Sequence, residues 1–158
     1  MSVHTPSVAL TEVLQANHIY YEVIPHRRTE SAVAEAEAVG VDPGHVAKTL
    51  VLETEVGFVR AVLLAHERID LHKVKAVLDV REARLASEQV LAGAYPEFEL
   101  GAVPPVGGPA HDLVLMDARV RKEESVVLEA GTHEQSVRIR TSDLAAVAGA
   151  RIADIAES

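Results

Sequence analysis

Lys48 stands in Val46-Ala-Lys-Thr-Leu-Val-Leu52, a run in which strand alternation puts its ammonium on the same side as Val46, Leu50 and Leu52, with Thr49 and Glu53 opposite. Burying an unpaired ammonium is costly. A lysine on an apolar face therefore reaches water at the strand end, finds an anionic partner or lines a pocket. Spacing alone leaves the three open.

Two loops could meet such a group. Gly101-Ala-Val-Pro-Pro-Val-Gly-Gly-Pro109 has Gly or Pro at six of nine positions, so it forms no regular element; glycine admits close backbone approach to a ligand and proline stiffens the path. Gly131-Thr-His133 falls where one strand turns into the next, so Gly131 can expose a backbone N–H and His133 can point into a neighbouring cleft, although a turn histidine is as readily solvated. Asp117 ends an apolar strand and could orient a catalytic group or simply form a turn. Of the eight histidines, His66 and His72 flank a predicted helix start and His111 has only Asp112 beside it, so no metal-ligand spacing emerges. Neither a serine elbow, a phosphate-binding loop nor a dinucleotide fingerprint is present.

The elements that must position these groups read as α+β. Apolar residues at helical spacing run from Ser7 to Asn17, followed by a short strand from Tyr20 to Ile24. Thr29 is the expected cap of a helix through Val39, with Gly40 ending it. Lys48 to Glu53 and Phe58 to Ala65 form a predicted hairpin around Gly57. Asp70 caps the next helix, and a short strand near Leu85 and a helical turn from Ser87 follow. Three strands, Leu113 to Asp117, Ser125 to Ala130 and Val137 to Thr141, precede a helix starting at Ser142 or Asp143 and stopping at Gly149. Strands outnumber regular β-α alternation, which favours a mixed or antiparallel curved sheet with surrounding helices over a doubly wound one.

With 158 residues, 48% of them hydrophobic, the chain is expected to form one domain, residues 1–158, with its own core. The lack of cysteine excludes a disulfide framework and a thiolate nucleophile. No long apolar run or basic-then-apolar leader occurs, so a cytoplasmic protein without membrane association is expected. A net charge of −9 and only five aromatic residues argue against a protein that coats DNA or RNA.

Taken in order, these segments resemble the YbaK/prolyl-tRNA editing family. Val46 to Leu52 is similar to its lysine strand, Gly101-Ala-Val-Pro-Pro105 to its glycine-proline loop, Val114 to Ala118 to its next strand, and Glu129-Ala-Gly-Thr-His133 to its glycine-histidine turn. Pro25-His-Arg-Arg-Thr29 before an alanine-rich helix also matches. The resemblance implies a partly barrel-like mixed sheet and a deacylase that hydrolyses the ester of mischarged tRNA in trans, without metal or cofactor. It implies that Lys48 binds near the ester or terminal adenosine. Backbone at Gly101 and Gly131 would place the carbonyl and water, helped by the ribose hydroxyl. His133, with His26, Thr29, Ala102, Val103, Pro104 and Pro105, would line the substrate site. Such ester hydrolysis needs a positioned water and oxyanion stabilisation more than a strong nucleophile.

An editor of this kind grips only the acceptor end, which an acidic protein can do; Arg27, Arg28, Lys73, Lys75, Arg119, Arg121 and Lys122 are available for local contacts. Gly93-Ala-Tyr-Pro-Glu-Phe-Glu-Leu100 replaces the Thr-Gly-Tyr approach of many members, so alanine, serine, threonine and cysteine all stay open as cargo. Two other classes are weighed against the deacylase: a non-catalytic module that binds a tRNA end, nucleotide or aminoacyl derivative, and a metal-dependent hydrolase using His66, His72 or His111. Oligomeric state is not encoded in any pattern found.

Overall fold

The structure is a computed structural model that describes residues 7–96, 98–99, 102–107 and 112–158. Along the chain run α1 (Ser7–Ala16), β1 (Tyr21–Pro25), α2 (Ala32–Val39), a 3-10 turn (Pro43–His45), β2 (Ala47–Thr54), β3 (Gly57–Leu64), α3 (Leu71–Leu78), β4 (Ala83–Leu85), α4 (Glu88–Ala94), β5 (Leu113–Asp117), α5 (Ala118–Arg121), β6 (Ser125–Thr132), β7 (Gln135–Arg140), α6 (Thr141–Ala148) and β8 (Arg151–Ala153). The class is α+β, as expected. The strands form two open sheets among the described residues, β1-β7-β6 and β4-β2-β3-β5-β8. One parallel bridge, Val46 to Val127, joins them, so the closure implied by a partly barrel-like sheet is absent there.

The hairpin β2–β3 is the spine of the larger sheet, with Lys48 opposite Leu63 and Thr54 opposite Gly57. Gly57 turns the chain at φ 129°, a value that glycine tolerates and other residues rarely adopt. β3 is central: it pairs antiparallel with β2 and parallel with β5. Its two faces are both buried. Val62 and Leu64 join Leu10, Leu14, Leu128, Ile139 and Leu144 in the core shared with the smaller sheet, while Val59, Ala61 and Leu63 pack with Leu52, Val74, Leu115 and Ile155 on the other side. Burial on both faces explains why β3 reads as an almost continuous apolar run instead of an alternating one.

Several boundaries differ from expectation for local reasons. Ser31, not Thr29, caps α2, because its hydroxyl accepts the Ala34 N–H while the Thr29 N–H donates to the His133 carbonyl. The predicted closing helix starts earlier, at Thr141, so β7 ends at Arg140. α5 and β8 were not anticipated; each is only a few residues long, and β8 is specified by its parallel pairing with β5. Gly40, Asp70 and Gly149 do end, cap and end the helices assigned to them.

Candidate active site

The outer edge of β2 is where the site forms. In an antiparallel pair the backbone groups of successive residues point alternately to the two neighbours. The Val46 carbonyl accepts the Ala65 N–H on the β3 side, and the Val51 carbonyl accepts the Ala86 N–H on the other. Ala47 and Thr49 therefore present their backbone outward with Val51. β4 covers only Leu52 to Thr54, so this stretch of edge has no strand beside it among the described residues.

A cavity of about 270 Å³ occupies the gap. It is lined by Ala47, Lys48, Thr49 and Leu50 of β2 with Ala65, by Ala102 and Val103, by Leu128 and Glu129 of β6, and by Glu30 to Val33 at the start of α2. Lys48 Nζ donates to the Ala65 carbonyl at 3.1 Å, leaving two of its three N–H groups available. Burial pushes its pKa below the ordinary lysine value, with Glu67 pulling it back up and Arg68 adding to the lowering.

Of the residues singled out from sequence, the structure brings Lys48, Ala102 and Val103 together around one space. Pro104 and Pro105, the next two residues, are buried and are not among the residues that line the cavity. Gly101 and His111 lie outside the described residues. Gly131 is buried at φ 99°, its carbonyl accepting the Glu99 N–H, and it is not among the residues that line the cavity. His133 is also set back: only 4% exposed, it holds Nδ1 2.8 Å from Glu129 Oε2 and Nε2 3.9 Å from Glu30 Oε2. His26 and Thr29 stitch the approach to α2 onto the same turn, through His26 N–H to the Glu134 carbonyl and Thr29 N–H to the His133 carbonyl. The His26 ring meets Ser136 Oγ at 2.8 Å. Asp117 is a structural group: its carboxylate accepts the N–H groups of Ile155, Ala156 and Arg119. Among the described residues no three His, Cys, Asp or Glu side chains are grouped to hold a metal ion, and no helix is long and apolar enough to cross a membrane.

Glu129 was quoted only as part of a motif, yet it faces the cavity. Burial, then the charges of Glu35, Glu99 and Glu30, push its pKa up to about 9, with Arg28 opposing them. Glu35, fully buried, is pushed up to about 7 by burial although its carboxylate accepts a hydrogen bond from Ser136 Oγ. The cavity thus carries the Lys48 ammonium and, among the groups lining it, the Glu129 carboxyl with its raised pKa. Arg60 was also missed. It is the one charged residue within β3, a visible anomaly in an apolar run, and its side chain is 2% exposed.

A family model described as an aminoacyl-tRNA editing domain matches residues 26–147. The crystal structure of a candidate trans-editing enzyme for prolyl-tRNA synthetase is similar at 25% identity and a TM-score of 0.87, over 99% of this chain and all of that one. Two further structures share the fold. One, a scaffold from an epitope-grafting design study, is 23% identical with a TM-score of 0.86, each chain 99% covered. The other, a hypothetical protein, is 20% identical with a TM-score of 0.87, over 94% of this chain and 99% of that one.

Proposed function

The chain belongs to the aminoacyl-tRNA editing domain family, and from that premise we propose that residues 1–158 act as one editing domain that hydrolyses, in trans and without a metal, the ester of tRNA mischarged with a small amino acid. The observation that carries the reading is that Lys48 lines one cavity together with Ala102 and Val103. Water adds to the ester carbonyl carbon, negative charge gathers on the carbonyl oxygen, and the bond to the ribose oxygen breaks. The amino acid leaves and the ribose hydroxyl regains a proton. An ammonium near the developing oxyanion stabilises it more strongly in a partly dry cleft than in water.

The carboxyl wall has a matching task. Every aminoacyl ester carries an α-ammonium beside its carbonyl, so Glu129 and Glu30 can receive that cation while Lys48 faces the oxygen. Burial is the largest cause of the raised Glu129 pKa and the neighbouring carboxylates come after it; the arriving cation offsets the carboxylates and draws the pKa back down toward ionisation. Cargo is limited by space: about 270 Å³ lies just below the roughly 300 Å³ at which small-molecule sites usually begin. That suits alanine, serine, threonine or cysteine. The RNA partner is the acceptor end, met in the cytoplasm, and the description of the 25% identical neighbour makes proline tRNA the first to try.

A deacylation panel tests the reading: proline tRNA and other tRNAs charged with each of the four small residues, and with a large residue as control. Release of at least one small residue supports it. Saturable binding with no release anywhere on the panel overturns it in favour of a binding module.

A further inference from the structure

The wall formed by Ala102 and Val103 belongs to a loop short of backbone donors, although the Ala102 N–H does reach the Glu99 carbonyl. Pro104 and Pro105 have no backbone N–H to donate, and the buried carbonyls of such a segment need donors from elsewhere. The donor is Arg60. From the middle of β3 its Nη1 reaches the Pro104 carbonyl at 2.8 Å and its Nη2 the Gly107 carbonyl at 2.7 Å, while Nε lies 3.2 Å from Asp112 Oδ2. The guanidinium sits 4.9 Å from the Tyr95 ring centre, and the Tyr95 hydroxyl donates to the same Asp112 oxygen. Asp112 is itself 8% exposed.

A buried charge of this kind is retained only when paired and hydrogen-bonded throughout. Here the planar fork spans the carbonyl of the first of two consecutive prolines, that of Gly107 two residues past the second, and a carboxylate beyond, a geometry that a lysine point charge cannot copy. None of Arg60, Tyr95, Pro104, Gly107 and Asp112 lines the cavity, so any effect of this clamp on chemistry passes through the loop that carries Ala102 and Val103. We propose that Arg60 is the positioning residue of the editing reaction: it fixes the height of the loop, and hence the placement of the Ala102–Val103 wall over the ester carbonyl. The proposal rests on the deacylase reading for its kinetic consequence and on the loop itself for its structural one.

The test compares wild type with R60K and with R60M/D112N, the double variant removing both buried charges together so that neither is stranded. Amide hydrogen exchange and deacylation kinetics are measured on each. Loss of the clamp is expected to speed exchange at Ala102 and Val103 by about tenfold or more while β6 and β7 keep wild-type protection. It is expected to lower kcat by roughly 10²-fold, the order that a 1 Å misplacement costs, with KM within about threefold. R60K should fail to rescue either readout. A folded R60M/D112N with wild-type exchange in the loop overturns the proposal whatever the activity; wild-type kcat in that variant, with Lys48→Ala inactive, overturns it while leaving the deacylase reading intact. If wild type itself releases nothing on the panel, the deacylase reading fails alone, and exchange at the loop still decides the role of Arg60.

Discussion

At the scale of single residues, the polarity of the cavity makes a demand on substrate that a generic esterase pocket would not. Glu129 is pushed up to about 9 by burial and by Glu35, Glu99 and Glu30, and a bound α-ammonium offsets the part due to the three carboxylates. Blocking the amine by acetylation leaves nothing for the wall to receive, so N-acetylaminoacyl-tRNA should be cleaved about 10- to 100-fold more slowly than its free counterpart, the range expected for a charge-assisted contact. Glu129→Gln keeps the shape and should erase most of that preference. Equal rates on both substrates with wild type would remove Glu129 and Glu30 from substrate recognition. Lys48 stands out in the sequence because an ammonium on an apolar strand face is costly to bury unpaired, but spacing left open whether it reaches water, an anion or a pocket. His133 was legible as a residue near the site, but not that Glu129 would stand between it and the cavity, since side-chain layering across a strand turn follows from tertiary packing.

At the scale of elements, the rim of the cavity depends on how α2 begins. Ser31 Oγ accepts the Ala34 N–H, and Ser31, Ala32 and Val33 border the opening. Ser31→Ala should cost about 1 kcal/mol of stability, the usual loss of a cap, and loosen the rim; thermal unfolding measures it. Thr29→Ala should not reproduce the effect of a lost cap, and equal destabilisation by both would contradict the assignment. Composition favoured Thr29 because the helical pattern starts near it, whereas its N–H is taken by the His133 carbonyl, a long-range contact that no local pattern reveals. The hairpin, by contrast, was readable from Gly57 and two β-rich runs because its determinants are local. β8 and α5 escaped for the same physical reason that Thr29 misled: short elements are selected by their neighbours. Arg60 lay in plain view within β3, yet its partners Pro104, Gly107 and Asp112 stand 44 to 52 positions away.

For the whole molecule, the buried carboxyls couple folding to pH. Glu35 and Glu129 hold protons in the folded state up to about 7 and about 9, against an ordinary carboxyl value of 4.5. Above that value the unfolded chain releases protons that the fold keeps, so the folded state binds more of them and the unfolding free energy falls as pH rises. The thermal midpoint should therefore be higher near pH 5.5 than near pH 8.5, and Glu129→Gln should flatten the slope; a midpoint that climbs over that interval contradicts the burial of these groups. The net charge of −9 adds self-repulsion in the same direction, and it fits a protein that meets RNA at one end only. The central claim, that an ammonium at the edge of β2 stabilises the transition state of ester hydrolysis, is tested most directly by single-turnover deacylation of alanyl-tRNA and its small-residue counterparts with wild type and Lys48→Ala. The account predicts release by wild type and a loss of about 10²- to 10³-fold in rate for the variant, the order reported by removing one oxyanion donor. Release at the same rate by both proteins would contradict it.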